Sequence, residues 1–156
     1  MVGPREEDRL SPIDHEVTEM DEPLNLVLFS GTDDKLQAAA VLTAGAAALG
    51  KPVNIFLQYW ALNAFRADRI ARDHGLAPEA GVAGRAAVDA LAAAGQSPWA
   101  DTLRQAKELG GVDIEACSLS MDLLHLHQAD LDPLVDGVEG VTAFYLAAGE
   151  GQVVFI

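Results

Sequence analysis

The sequence predicts an α/β fold, a three-layer α/β/α sandwich around a mainly parallel sheet of about five strands. Short apolar runs alternate along the chain with longer Ala- and Leu-rich segments that begin at capping residues and end at glycine. Half of the 156 residues are hydrophobic, which is enough for one domain with a sizeable core. Strands separated by helices join as parallel βαβ units, so the alternation points to this architecture.

The first elements are the most clearly marked. Residues 24–31, LNLVLFSG, form an apolar run typical of a buried parallel strand. Residues 32–50 are rich in alanine and predict a helix capped by Thr32 or Asp33. Residues 51–60, KPVNIFLQYW, predict the second strand.

The middle of the chain predicts two helices on either side of a less regular stretch. Residues 59–73 are interpreted as a helix. Residues 74–97 are rich in Ala and Gly and predict an insertion or a mobile excursion with some helix over 84–94. In 97–110, SPWADTLRQAKELG, Ser97 is the expected cap and proline follows at the first helical position.

The last third repeats the alternation. Residues 111–117 predict a third strand and 118–128 a helix. A short fourth strand is expected after Gly137, then a helix over 142–148 and a final strand within 151–156. Ligands of such sheets gather at the carboxyl ends of the strands, so the residues there become the candidates for function.

The distribution of charge separates an acidic N-terminal segment from the rest of the chain, and the net charge argues against binding to polyanions. Residues 1–22 carry eight acidic and two basic residues and predict a flexible acidic arm, whereas 23–156 form a single domain. The net charge of −14 opposes binding to nucleic acid or to an anionic membrane. The longest apolar stretch, around 38–49, is too short to span a bilayer. A single cysteine and no recognisable signal peptide favour a cytoplasmic location.

Cys117, the only cysteine, lies between the third strand and the following helix. Free N–H groups and the dipole at a helix start favour a thiolate. Asp113, Glu115 and Asp122 oppose it, and no Lys or Arg follows Lys107. Because free cysteine is also a common core residue, the residues alone leave a structural and a reactive interpretation open.

Other candidates lie near the same predicted edge. Ser30-Gly31-Thr32 could hold an anion at a helix start, or be a simple capped turn, and the stretch lacks a phosphate-loop pattern. Ser118 and Ser120 offer hydroxyls close to Cys117, although capping explains them equally well.

Two further residues complete the candidate pocket. Tyr59 ends the second strand and could line a pocket or pack in the core or an interface. His125 could donate a proton near Cys117 from a neighbouring subunit. His125 and His127 would point to nearly opposite sides of a helix, which is poor ligand geometry, so no metal site is expected.

From residue 24 onward the chain resembles the DsrE/DsrF-like family of small α/β proteins of sulfur metabolism. The resemblance lies in LNLVLFS, KPVNIFLQYWAL, GGVDIEACSLSMDLL, DLDPLVDGVEGVTAFYLAAGEG and the closing VVFI, and it omits 74–97. Cys117 matches the position of the family's sulfur-carrying cysteine. The pair His125 and His127 departs from the turn that many relatives have there.

The resemblance implies a cytoplasmic sulfur carrier, or sulfurtransferase-type protein, that accepts and passes sulfane sulfur as a persulfide on Cys117. Such chemistry needs no metal or organic cofactor, and its partners are donor and acceptor proteins with thiols. A homo-oligomer, trimer or hexamer, is also implied. A non-catalytic oligomeric binding or scaffold subunit of the same fold is the alternative, and a small-molecule or nucleotide-binding role is the third. The expected supporting residues are Ser118, Ser120, Ser30, Gly31, Thr32, Tyr59 and His125.

Overall fold

The computed structural model describes residues 22–156. The predicted acidic arm therefore lies outside the described residues, apart from its last position. The strands are β1 (Leu24–Leu28), β2 (Val53–Leu57), β3 (Val112–Cys117), β4 (Gly137–Glu139) and β5 (Val153–Phe155). The α-helices are α1 (Asp33–Ala48), α2 (Tyr59–Ala64), α3 (Gly81–Ala93), α4 (Trp99–Leu109), α5 (Ser118–Leu123) and α6 (Val141–Ala148).

The strands form one parallel sheet in the order β4-β3-β2-β1-β5. Successive strands from β1 to β4 step in one direction, and the chain then returns through α6 to place β5 beside β1. The predicted α/β class and the five-stranded parallel sheet are confirmed.

One face of the sheet carries the main core. The alternate residues Leu26, Leu28, Ile55, Leu57 and Ile114 are almost completely buried in a single apolar cluster. Helices α1 and α4 cover this face and pack closely against each other. Both faces of the sheet are covered along β1 and β2. The sequences of these two strands are therefore nearly continuous apolar runs.

The opposite face is covered by the short helix α6. Phe144 packs there with Val27, Phe56 and Cys117. The fully buried Asn25 donates hydrogen bonds at 3.3 Å to the carbonyl oxygens of Ala148 and of Gln152. These bonds attach the end of α6 and the entry to β5 to strand β1.

Two predicted helices are shorter than expected, and the segment that follows α2 shows why. The helix predicted over 59–73 ends at Ala64 because the backbone then pairs with a distant segment. Arg66 forms an antiparallel bridge with Leu131, and the Phe65 carbonyl accepts a hydrogen bond from the N–H of Asp132. Because these segments are far apart in the sequence, no residue pattern near Ala64 predicts that the helix ends there.

The helix predicted over 118–128 ends at Leu123. His125 adopts a left-handed backbone (φ +54°), and the Leu126 N–H bonds back to the Met121 carbonyl. This is a Schellman ending with histidine where glycine is usual. The two histidines therefore do not share a helix, and the helical spacing argument used for them was wrong. Ser97 is likewise not the cap of α4, since Pro98 takes that position.

Candidate functional site

Cys117 is the last residue of β3 and directly precedes α5. Its side chain shares the α6 face of the sheet with Val27 and Phe56. It is 4% exposed, so the thiol is enclosed within the isolated chain. The placement after the third strand agrees with the sequence prediction, whereas the burial gives weight to the structural interpretation.

Helix α6 covers the cysteine through an aromatic pair. The rings of Phe56 and Phe144 are stacked, with centroids 4.9 Å apart and an angle of 15° between their planes. Phe144 is 2% exposed, and α6 is only eight residues long. At 4% exposure the thiol offers little surface to a reagent, so displacement of α6 or of a neighbouring segment would increase its access.

Two carboxylates lie on the same face beside the cysteine. Glu139 of β4 is the register partner of Cys117, and Glu115 precedes Cys117 by two residues on β3. Burial raises the pKa of both carboxyls, and repulsion from Glu139, Asp136 and Asp113 raises the pKa of Glu115 further. The surroundings of Cys117 on this face are thus acidic.

Lys107, the last Lys or Arg of the sequence, lies close to this acidic group. Lys107 pairs with Asp136, and its ammonium also donates to the Leu134 carbonyl oxygen at 3.3 Å. It lowers the pKa of Glu115, but it is the weakest of the influences on that carboxyl. The positive charge that a thiolate would need is not supplied by Lys107.

The predicted Ser30-Gly31-Thr32 turn lies at the same edge of the sheet as Cys117, but β2 separates them. Parallel strands lie about 4.8 Å apart, which sets the turn about 10 Å from the cysteine. The Ser30 and Thr32 hydroxyl oxygens are 3.2 Å apart and hydrogen-bonded. The turn thus begins α1 with its polar groups engaged, and the structure does not bring it into contact with the thiol.

Tyr59 was predicted to end the second strand, but it is the first residue of α2, separated from β2 by Gln58 and held in a strained left-handed backbone (φ +42°). Its ring contacts Phe29, with centroids 5.1 Å apart, and Phe29 in turn contacts Phe155 at 5.7 Å. Gly31 is required here because a Cβ would collide with the Trp60 carbonyl oxygen. Through its contact with Phe29, Tyr59 belongs to an aromatic cluster at the carboxyl edge of the sheet.

The remaining predicted pocket residues have separate environments. Ser118 is exposed, and its hydroxyl oxygen lies 3.9 Å from where a Cβ on Gly140 would stand. Ser120 is fully buried, and its hydroxyl has no hydrogen-bond partner among the described residues. His125 is exposed at the end of α5.

Glu139 and Phe144 were missed by sequence reasoning. No local pattern marks either one, because their proximity to Cys117 depends on the pairing of β3 with β4 and on the return of α6 across the sheet. Glu115 was recognised only as a neighbour in sequence.

Between residues 22 and 156, no three His, Cys, Asp or Glu side chains are grouped as a metal-binding set. No helix in that range is long and apolar enough to cross a membrane.

The five-stranded parallel sheet with helices on both faces defines a DsrE-like α/β fold. Two solved structures share the fold: a protein of unknown function, MTH1491, from Methanobacterium thermoautotrophicum (TM-score 0.56, 14% identity), and the ychN protein of E. coli (TM-score 0.54, 11% identity). Each match covers 87% of this chain, together with 100% of MTH1491 and 99% of ychN.

The chain belongs to the DsrE/DsrF/DrsH-like family, whose model matches residues 20–92. It is 32% identical over 158 residues to the uncharacterized protein YrkE of Bacillus subtilis (strain 168). That alignment covers 88% of this chain and 98% of the relative. The resemblance read from the sequence is confirmed at the level of the family.

Proposed function

We propose that the protein is a cytoplasmic sulfur carrier that receives sulfane sulfur on Cys117 and passes it to a thiol of a partner protein. The observation that carries the proposal is the location of the only cysteine at the carboxyl end of β3 in a chain of this family. In parallel α/β sheets, reactive groups gather at this edge.

The proposed chemistry is sulfur exchange without net oxidation. The Cys117 thiolate attacks the outer sulfur of a donor persulfide, R–S–SH. The S–S bond of the donor breaks, R–S⁻ leaves, and Cys117 becomes Cys–S–SH. An acceptor thiolate, R′–S⁻, then attacks the outer sulfur of Cys117, which releases the Cys117 thiolate and forms R′–S–SH. Both steps need thiolate character and access.

The burial of Cys117 requires that its surroundings change before transfer. We propose that the donor displaces α6 and supplies a cation that faces Glu115 and Glu139. Such a contact would stabilise the thiolate and counter the two carboxylates.

A second copy of the chain also fits the exposed apolar surface beside the site. Tyr145 and Leu146 of α6 are 62% and 80% exposed, and Phe155 of β5 is 65% exposed on the same face of the sheet. Leu119 and Leu123 of α5 are exposed as well, at 67% and 58%. A trimer or hexamer that covers this apolar surface would bury apolar area in the way that stable homo-oligomers do.

Loading of the cysteine tests the proposal. The full-length protein is incubated with a low-molecular-weight persulfide and its intact mass is measured. We expect a gain of one sulfur atom, about 32 Da, that is absent from Cys117→Ala. Circular dichroism of the variant confirms that it is folded. An unloaded native protein, with loading only after denaturation, would contradict the proposal.

A second candidate function is a non-catalytic oligomeric scaffold. The 4% exposure of Cys117 and its packing against Phe56 and Phe144 favour this candidate, because buried cysteine commonly serves as a small apolar residue. The loading experiment separates the two functions, since a scaffold keeps its assembly when Cys117 is replaced and carries no sulfur.

A further inference from the structure

A cavity of about 450 Å³ lies between the start of α1, the start of α4 and helix α3. It is on the α1 and α4 side of the sheet, opposite the face that holds Cys117. Helix α1 follows β1 and α4 precedes β3, so both helices begin at the carboxyl edge where α/β proteins bind ligands. Its volume lies within the roughly 300–1,000 Å³ typical of small-molecule sites.

Helix α3 is unusual in that none of its thirteen residues is buried. A helix on a domain surface normally buries one apolar stripe in the core. In α3, Val88, Leu91 and Ala92 line the cavity instead, and Leu91 is 51% exposed. The apolar side of the helix thus covers an opening rather than packed side chains.

Polar contacts hold α3 and the turn before it over the opening. Arg85 of α3 pairs with Asp73 at 3.1 Å, and Glu79 of the preceding turn pairs with Lys35 at 2.7 Å. Exposed ion pairs of this kind contribute little stability. The cover is therefore attached weakly and can move to admit a ligand.

The lining carries charged groups, but they have partners within the protein. Asp33 accepts hydrogen bonds from the His74 N–H at 2.9 Å and from the Trp99 indole N–H at 3.2 Å. Asp34 accepts one from the Ala77 N–H at 3.1 Å, and Arg72 donates to a backbone carbonyl at 2.8 Å.

Burial raises the pKa of the Asp34 carboxyl, but hydrogen bonds from the Thr32 side chain and nearby N–H groups together lower it below its ordinary value. Asp34 is therefore ionised and internally bonded.

The charges around the cavity also balance. The starts of α1 and α4 bring partial positive charge, which alone would favour an anion. Asp33 and Asp34 occupy the start of α1 and offset that charge, while Asp73 is paired with Arg85. Most of the unengaged lining is apolar and is formed by Ile70, Val88, Leu91, Ala92, Pro98 and Trp99. The uncharged polar side chains of Gln37, Gln96 and Ser97 also line the cavity and make no hydrogen bond among the described residues, so they can bond to an uncharged polar group of a ligand.

We propose that this cavity binds an uncharged, largely apolar small molecule, with α3 as its cover. Trp99, 5% exposed, and Ile70 provide its inner wall, and Val88 and Leu91 close over it. The site is independent of Cys117, so it stands whether or not the protein carries sulfur.

Three probes with one ring system test the chemical class. The full-length protein is titrated in a calorimeter with 1-naphthalenemethanol, with 1-naphthoate and with 1-naphthylmethylammonium. We expect the neutral alcohol to bind saturably with one site per chain. We expect the two charged probes to bind at least about tenfold more weakly, since desolvating an unpaired charge opposes binding.

Substitutions on α3 test the location. Leu91→Trp and Ala92→Leu fill the cavity and should each weaken binding of the alcohol by about tenfold or more. Val82→Trp is the matched control, because Val82 lies on the same helix, is fully exposed and does not line the cavity. Circular dichroism checks that helix content is unchanged.

Four results would overturn the proposal: no saturable binding of the alcohol, tighter binding of either charged probe, equal effects of Leu91→Trp and Val82→Trp, or a loss of self-association in Leu91→Trp without any binding of the probes. The last result would assign the opening to a second copy of the chain.

Discussion

At the residue scale, the decisive feature is that Cys117 is both suitably placed and enclosed. It lies at the carboxyl end of β3, yet Phe144 of α6 packs over it together with Phe56. Reactivity of the thiol must therefore be governed by the opening of α6 as well as by the intrinsic chemistry of cysteine.

We expect Phe144→Leu to speed the reaction of the native thiol with a disulfide reagent such as DTNB. The smaller side chain leaves a gap beside Cys117 and costs about 1 kcal/mol of stability, so α6 opens more often. Thr142→Ala is the matched control because Thr142 is exposed on the same helix and lies outside the cluster of Phe144 with Cys117. The reaction is followed by absorbance under native conditions, and equal rates in both variants would argue against gating by α6.

Gly31 gives a second test at this scale. We expect Gly31→Ala to lower the free energy of unfolding by about 2 kcal/mol, because its Cβ would collide with the Trp60 carbonyl oxygen. Gly45→Ala, in α1 with nothing near its Cβ, should instead raise it by about 0.5–1 kcal/mol. Urea denaturation measures both, and the same sign for the two changes would refute the packing described at the β1–α1 turn.

At the element scale, the pairing of β3 with β4 places Glu115 and Glu139 on the face that carries Cys117. Their folded pKa values are raised above the ordinary value of 4.5, chiefly by burial. The folded state therefore holds protons to a higher pH than the unfolded chain does. Stability due to these groups falls as the pH rises from 4.5 through the raised pKa, and it stays at its lowest above that range.

We expect Glu115→Gln and Glu139→Gln to be more stable than the wild type at pH 7, because glutamine needs no charged-group desolvation. The difference should shrink as the pH falls towards 4.5, where the wild-type carboxyls are protonated in the folded state. Thermal unfolding across this range measures it, with the exposed Glu108→Gln as control. A stability difference between each variant and the wild type that stays the same at every pH would contradict the raised pKa values of Glu115 and Glu139.

The sequence predicted well those strands and helices whose residue pattern lies within one short segment of the chain. The apolar runs of β1, β2 and β3 and the alanine-rich α1 were located within a few residues. The ends of α2 and α5 were not, because the first is set by pairing of Arg66 with Leu131 and the second by a left-handed histidine. The same limit applies to the site: Cys117 could be found, while Glu139 and Phe144 depend on tertiary arrangement.

At the scale of the whole molecule, the α6 face of the sheet is only partly covered. Tyr145, Leu146 and Phe155 expose large apolar area beside the enclosed cysteine. Large exposed apolar side chains on one face are typical of surfaces that contact another protein, so a second copy of the chain is the occupant that we propose for this one.

We expect Leu146→Asp to reduce the molecular mass measured by sedimentation velocity, because a charge in an apolar interface opposes association. Leu49→Asp is the control, since the side chain of Leu49 is also highly exposed, at 72%, but lies at the C-terminal end of α1. A mass unchanged in both variants would rule out the α6 face as the interface between copies.

A complete cycle of loading and discharge tests the proposed function most directly. The full-length protein is loaded with a persulfide donor, freed of excess reagent and mixed with a thiol acceptor, while intact masses are followed over time. We expect the protein to gain about 32 Da, to lose it as the acceptor gains the same mass, and Cys117→Ala to do neither. A native wild-type protein that never gains the sulfur, or one that gains it and cannot release it to a thiol, would contradict sulfur carriage by Cys117.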